Sequence, residues 1–408
     1  MLRELTRGFY RNFWVLVITW TIFGYATGVS TTFLSDYIVA LGGSEAAIGI
    51  TNTIGQIVYV PSALAGGYIG DRYGRRRIIV RMTWVIVFAT SIYFLAPNWW
   101  FIPIAMSIEY ITKIYIPALM ATLADSIDVN RRARGFLLTF IIPGVAALPA
   151  PIIGGYIIES IGYGRPEAYR VIFLIAFLLG LVAALIRQLY LVETLKAELE
   201  EPLFKAILDS LKHTIKDLKS SLPSIERGVK MAIILNSLLF TPAFGMVWPY
   251  MIRYAGLHGV DSQTWGEIVS LATAISVCGG IVLLHILDRV DRRILISSSS
   301  IAIALGAYIF SIGNMIMLTI GTILLLGVRN VYWSAYFAYL SDLAPKGLRS
   351  RVLALSDVGE TLGLALGSLV GAIVYPILPS YIFIIASLLL LPLTLTPLVL
   401  PYHKAKAS

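Results

Sequence analysis

Three charged residues stand in stretches of sequence otherwise fit to cross a lipid bilayer. Glu109 and Lys113 lie near the middle of an apolar segment over 99–124, and Arg329 lies near the middle of another over 315–341. A charge at the bilayer centre costs at least about 2.5 kcal/mol on the most lenient scale, so each calls for a partner or a use. The i, i+4 spacing of Glu109 and Lys113 puts them on one helix face, where they can pair. In the functional reading, Lys113 and Arg329 hold an anionic or zwitterionic group, while Glu109 alternates between pairing with Lys113 and carrying a proton. The plainer reading is a static bridge. Asp357 and Glu360, three residues apart over 352–375, are candidates for a second proton site or for a gate. Asp36, near the outer end of 13–40, is a candidate outer-side proton acceptor, with interfacial exposure as the alternative. Tyr110, Tyr332, Trp333, Tyr336, Asn236 and Gln56 complete the candidate lining, which suits an organic molecule with an apolar body. Packing against lipid explains such aromatics equally well.

The elements that must position these residues follow from composition. Of 408 residues 58% are hydrophobic and 13% charged, about half the charge of a soluble domain. Apolar segments long enough to span a hydrocarbon core as helices are expected at 13–40, 46–70, 78–97, 99–124, 135–158, 169–191, 229–253, 265–287, 294–313, 315–341, 352–375 and 378–400. The fold class is therefore an all-α polytopic membrane protein with twelve transmembrane helices. The short alternating segments of a membrane barrel are missing.

The net charge of +9 is an orientation signal and not a nucleic-acid signature. Arg3, Arg7, Arg11, Arg72–Arg77, Arg131–Arg134, Arg289–Arg293, Lys346–Arg351 and Lys404–Lys406 all fall on one side when the N-terminus is cytoplasmic; Arg165, Arg170 and Arg253 fall on outside loops. Basic loops stay inside, so both termini are expected in the cytoplasm, at the plasma membrane. The lone Cys278 permits no intrachain disulfide and no cysteine metal cluster. The first apolar run is too long for a signal peptide and leads to no small-residue cleavage pattern.

The chain repeats itself. AspArgTyrGlyArgArg at Asp71–Arg76 returns as AspArgValAspArgArg at Asp288–Arg293, and 288 minus 71 is 217. LeuAlaAsp ending at Asp125 returns as LeuSerAsp ending at Asp342, again 217 apart, and Tyr37/Tyr254, Gly42/Gly259, Gly49/Gly266 and Gly154/Gly371 keep the register. A repeat at this scale marks two six-helix bundles about a pseudo-twofold axis along the membrane normal. The expected halves are 1–192 and 228–408. Between them, 193–227 carries Phe204, Ile207, Leu208, Leu211, Ile215 and Leu218 at helical spacing with Lys205, Lys212, Lys216 and Lys219 among them, an amphipathic linker expected along the anionic inner leaflet.

GlyTyrIleGlyAspArgTyrGlyArgArgArgIleIle over Gly67–Ile79 resembles the signature between helices 2 and 3 of the major facilitator superfamily of secondary transporters. The glycines Gly67, Gly70 and Gly74 permit close packing and a tight turn. The resemblance implies the major facilitator fold and a cytoplasmic latch between the halves made of Asp71, Arg72, Arg75 and Asp125, with a second copy at Asp288, Arg289, Arg292 and Asp342. Asp291 replaces the turn glycine in that copy, so its turn should differ. AlaProIleIleGlyGly over Ala150–Gly155 is similar to the antiporter signature of drug-proton exchangers, with Pro151, Gly154 and Gly155 as packing residues. It departs at Ala150, and Ala105 stands where such exchangers carry an arginine.

The resemblance implies helices 1, 4, 7 and 10 around a central path, and hence a proton-coupled carrier of a small amphipathic or anionic organic compound. Export is the preferred direction and uptake of a sugar, carboxylate or amino acid the rival. The expected partners are the substrate, protons and the bilayer; nucleic acid and cofactors are not expected, nor is an oligomer. Phosphate loops, zinc-hydrolase motifs and nucleophile elbows are missing, which argues against an enzyme. A receptor or scaffold would gain nothing from the buried charges.

Overall fold

The computed structural model describes residues 8–195, 203–287, 290–345 and 348–401, apart from the side chains at 67–68, 70–72, 133, 203–204, 206 and 281–287. Twelve long helices stand among the described residues: α1 (Arg11–Ala40), α2 (Glu45–Tyr73), α3 (Arg75–Leu95), α4 (Phe101–Asp125), α5 (Arg134–Ile161), α6 (Pro166–Tyr190), α7 (Arg227–Leu257), α8 (Ser262–Leu287), α9 (Arg292–Phe310), α10 (Met315–Leu343), α11 (Arg349–Val374) and α12 (Tyr381–Val399). A separate linker helix, Leu203–Ser221, lies between α6 and α7. Ten of the twelve are both long and apolar enough to cross a membrane on their described residues alone. The other two, α2 and α8, have the length at 29 and 26 residues. They carry polar residues such as Asn52, Gln56, Gln263 and Glu267 and pack against the opposite half, α2 on α11 and α8 on α5.

The 217-residue offset is written into the contacts. α1 is followed by Gly42 and α7 by Gly259, both at positive φ (85° and 81°). In each case the following N–H reaches back five residues, Gly43 to the Ile38 carbonyl at 2.9 Å and Val260 to Ala255 at 3.1 Å, the closure that a left-handed residue after a helix permits. Tyr37 donates to the Tyr93 carbonyl (2.7 Å) and Tyr254 to the Ser311 carbonyl (2.6 Å). A side chain at Gly49 would collide with the Ser368 carbonyl, and one at Gly266 with the Pro151 carbonyl; 368 minus 151 is again 217.

The buried apolar residues fall into two clusters. One runs through the C-terminal half and continues into the N-terminal half through Val29, Phe33, Tyr37, Ile48 and Ala150. The other, with Phe13, Leu16, Ile69, Leu119 and Leu123, belongs to the N-terminal half alone. The halves therefore share a core on the face away from the linker helix, here called the distal face, and separate toward the linker face.

The linker helix covers the linker-face ends of α2 and α11, tied by Arg351 to the Ser221 hydroxyl (2.9 Å) and to Asp217 (3.4 Å). Lys205, Lys212, Lys216 and Lys219 lie on its exposed side.

Candidate functional site

A proline marks the turn that begins at Lys113. α4 turns 3₁₀ over Lys113–Tyr115, just before Pro117, because a proline ring clashes with the carbonyl four residues earlier and has no N–H to offer it. That carbonyl is Lys113's own. The expected i, i+4 bridge between Glu109 and Lys113 does not form among the described residues. Instead Glu109 accepts a hydrogen bond from the Tyr93 hydroxyl at 3.2 Å, and the Lys113 ammonium sits 3.5 Å from the Tyr110 ring centre and 5.4 Å from that of Tyr59. Both are cation–π contacts, favoured where water is excluded. Gln56 reaches the Tyr110 hydroxyl at 3.5 Å.

Tyr59 then crosses between the halves, donating to Asp357 of α11 at 3.1 Å. Tyr59, Tyr110, Lys113 and Asp357 thus form one cluster at the α2/α4/α11 junction, about 12 Å along α11 from its linker-face end, at 1.5 Å per residue. Lys113 is near enough to Asp357 and Glu109 to feel both charges without a direct ion pair to either.

The C-terminal half holds a different chain of contacts. Glu360 accepts from Ser356 (2.8 Å), Ser356 and Tyr336 share a hydrogen bond (2.8 Å), and Tyr332 donates to Asn236 (3.0 Å). The Tyr332 ring stacks on Phe240 at 3.5 Å. Asn236, Tyr332 and Tyr336 are each buried to 1% exposure, so in this conformation they fill the half's interior. Asn236 opens a π-helical turn, Asn236–Phe240, ahead of Pro242, and a second one, Ile323–Gly327, precedes Arg329; such turns often sit at functional positions. Arg329 lies 5.1 Å from the Phe244 ring centre and meets no carboxylate among the described residues.

Trp333 does line open space. A cavity of about 670 Å³ lies between α5, α8 and α10, walled by Phe140, Gly144, Ser276, Gly280, Asn330 and Trp333 among others.

The distal face is locked by ions. Arg253, expected on an outside loop, lies inside α7, and Asp36, expected either to accept protons or to sit exposed at the interface, has a side chain only 2% exposed. Arg253 donates to Asp36 at 3.0 Å, to Glu45 at 2.7 Å and to the Tyr163 hydroxyl at 3.2 Å, so one guanidinium binds α1, α2 and the α5–α6 loop of the other half. Ser35 donates to the Pro249 carbonyl (2.5 Å), and Glu159 of α5 accepts the first N–H of α8 at 2.8 Å. Sequence reasoning missed this lock although its signal was present: 253 minus 36 is 217. Opposite charges at equivalent positions beside a twofold axis face each other.

On the linker face the latch residues pair inside their own halves, Arg75 with Asp125, and Arg292 with Asp342 at 3.7 Å. The side chains of Asp71 and Arg72, the signature glycines Gly67 and Gly70, and the residues Asp288 and Arg289 lie outside the described residues. The two turns differ as expected. Gly74 adopts φ +91°, whereas Asp291 caps α9 by accepting the Arg293 N–H at 2.9 Å. Gly154 and Gly155 let α5 approach the Val29 and Ser262 carbonyls, and Pro151 meets Gly266. One unanticipated residue is Arg187, fully buried between Thr19 (3.1 Å) and Thr83 (2.9 Å); it knits α1, α3 and α6 together.

Comparison with known proteins follows this geometry. The family model described as Major Facilitator Superfamily matches residues 15–331 and 233–408. An uncharacterized MFS-type transporter, YqjV, of Bacillus subtilis is 22% identical over 391 residues, 92% of this chain and 90% of its own. A Na(+), Li(+), K(+)/H(+) antiporter of Planococcus maritimus is 31% identical over 175 residues, 41% of this chain and 39% of its own. A multi-drug resistance efflux pump PmrA homolog of Lactococcus lactis is 22% identical over 389 residues, 91% and 90%. The crystal structure of the nucleoside transporter NupG superposes with a TM-score of 0.73 at 13% identity, covering 96% of this chain and all of that one.

Proposed function

Because the chain belongs to the Major Facilitator Superfamily and is a multi-pass membrane transporter, we propose that it is a proton-coupled carrier exporting a small amphipathic or anionic organic compound. The observation that carries this reading is the Tyr59–Lys113–Asp357 cluster, which spans the two halves inside the membrane. An acid held by a hydroxyl, with no cation in direct contact, can gain or lose a proton without breaking a salt bridge. Its charge state then sets how strongly the N-terminal half, through Tyr59 and Lys113, is drawn to α11. Proton occupancy is in this way linked to the relative position of the halves, and a ligand anion competing for Lys113 enters the same balance. Asp357 takes over the coupling role that the sequence assigned to Glu109. Glu360 stands one helical turn away as the reserve, and Arg329 is the second cation for the ligand.

Closed by Arg253 on the distal face and separated toward the linker face, the molecule is in the half-cycle open to the side where both termini lie, the cytoplasm of a plasma-membrane carrier. When the distal side opens, the linker-face latches re-form across the halves. The protein works as a monomer, since each half supplies one wall of the path. The similarity to an efflux pump over nine-tenths of the chain supports export, and the antiporter relative supports exchange against protons.

The test uses the purified chain in proteoliposomes, with ligands found by thermal shift and a pH jump as driving force. Movement of ligand against the direction of proton flow is expected. Asp357→Asn should abolish accumulation driven by the pH gradient while leaving ligand counterflow. Unchanged gradient-driven accumulation in that variant would overturn the coupling assignment, and ligand moving with the protons would replace export by uptake.

A further inference from the structure

The linker helix carries more apolar surface than its seat on the protein uses. Ile207 and Leu211 pack against the cluster that belongs to the N-terminal half alone, and Ser210 and Ser221 are buried on the same side. Leu208, Ile215 and Leu222 instead stand 42%, 43% and 42% exposed. They recur every seven residues, the last of them in the 3₁₀ turn Leu222–Ser224 that follows the helix. At about 100° per residue this spacing lines them up as one stripe along the helix.

Positive charge borders the stripe. Lys212 and Lys219 follow Leu208 and Ile215 by four positions, and Lys216 lies one turn beyond Lys212; all three are exposed. Of the helix's two acids, Asp217 is engaged by Arg351 and Asp209 is half-buried, so the exposed charge beside the stripe is positive. An apolar stripe edged by ammonium groups on long stems matches the boundary between acyl chains and anionic headgroups, where the apolar side chains enter the first and the lysines reach the second. The seat holds the helix at that level, because it covers the ends of α2 and α11, which run through the bilayer. Lysine is depleted at protein interfaces, which favours lipid over protein as the occupant.

We propose that the linker helix lies in the plane of the linker-face leaflet, with Leu208, Ile215 and Leu222 among the acyl chains and Lys212, Lys216 and Lys219 on anionic lipid headgroups. The anchor reaches the membrane-spanning helices through one residue. Arg351, in the first turn of α11, holds the Ser221 hydroxyl and Asp217 of the linker, so lipid bound by the linker also fixes the linker-face end of α11. The proposal needs only the membrane-spanning fold and is independent of what is carried and in which direction.

The test uses the whole chain with Cys278→Ser and Ile215→Cys, labelled with an NBD fluorophore and placed one copy per nanodisc. The discs hold phosphatidylcholine alone or mixed equally with phosphatidylglycerol. Nitroxide carried midway along the acyl chains should quench the label, and at least about twofold more strongly when phosphatidylglycerol is present. A label at Ser220→Cys, on the side turned from the stripe, should stay open to aqueous iodide and escape the nitroxide. Lys212→Gln, Lys216→Gln and Lys219→Gln together, or high salt, should remove most of the phosphatidylglycerol dependence. All the substituted linker positions are exposed, so these variants test lipid contact and not folding. Iodide quenching the two labels alike would put the helix in water and overturn the proposal. Nitroxide quenching that ignores both phosphatidylglycerol and the lysine variants would overturn it too, since no anionic headgroup is then bound. Shielding from iodide without nitroxide quenching would mean that protein covers the stripe, which equally excludes the lipid anchor.

Discussion

The two seams between the halves, α2 with α11 and α5 with α8, are equivalent under the 217-residue repeat but are built to opposite ends. Both begin on the distal face with the same device, a glycine against a backbone carbonyl, Gly49 on Ser368 and Gly266 on Pro151. From there the α2/α11 seam continues through Thr53 to the Ala365 carbonyl (3.2 Å) and Tyr59 to Asp357, and ends under the linker helix. The α5/α8 seam gives way to a cavity. What differs is the chemistry at matching positions: Tyr59, Lys113 and Asp357 on one side, Ser276, Asn330 and Phe140 on the other. Hydrogen bonds and charge hold one seam part-way along α11, and the other has nothing of comparable strength there among the described residues. A duplicated scaffold has thus diverged, with ionisable residues in one seam and open space in the other.

The largest expected effect falls on what both seams share, the distal lock. Arg253→Ala leaves Asp36 buried without its cation, and breaking a buried pair in this way costs about 3–5 kcal/mol. A lowered Tm and faster labelling of a cysteine placed at Ser35 are expected. An unchanged Tm would mean that the glycine contacts alone close the distal face.

Next come the glycines themselves. Gly49→Val drives a side chain into the Ser368 carbonyl, and overpacking of this kind costs about 1–3 kcal/mol. Gly280→Val meets open space and should change stability by no more than about 0.5 kcal/mol. Thermal unfolding of the two variants side by side sharpens the contrast; equal losses would erase it.

The smallest effect lies at the turns that the repeat also made unlike. Burial would raise the Asp291 carboxyl, but hydrogen bonds from the Arg293 backbone and guanidinium outweigh it and hold the group below its ordinary value of 3.8. A carboxyl depressed in the folded state contributes stability above its unfolded value and loses it as pH falls through the folded one. The Tm gap between the chain and Asp291→Asn should therefore stay constant from about pH 8 to about pH 5 and close toward about pH 3. A gap independent of pH would reduce Asp291 to a neutral cap.

Much of the scaffold was legible from residues alone. Apolar runs marked the helices because a span must satisfy its own backbone, and the repeated AspArg motifs gave the register that later equated Ser368 with Pro151. The presence of Lys113 and Arg329 in the membrane was equally readable. Their partners were not. Lys113 was matched to Glu109 by helical spacing, whereas its ammonium lies against the rings of Tyr110 and Tyr59, the latter on another helix. Arg253 read as a loop residue because a positive charge near a span's end is ordinary there, and only its offset from Asp36 hinted otherwise. Tyr332, Tyr336 and Asn236 had the composition of a binding surface, and their burial in the C-terminal half, with Tyr332 donating to Asn236 and Tyr336 sharing a hydrogen bond with Ser356, could not be read from it.

By itself, then, the chain's order of residues determined the number of spans, the duplication, the linker helix and which segments carry charge, since these follow from local periodicity and from the cost of exposing backbone or ions to lipid. Tertiary structure alone decided which charges meet, which seam is sealed and where space remains. Those outcomes depend on contacts between residues hundreds of positions apart, such as Tyr59 with Asp357 and Asp36 with Arg253, whose energies exist only once two bundles are set face to face.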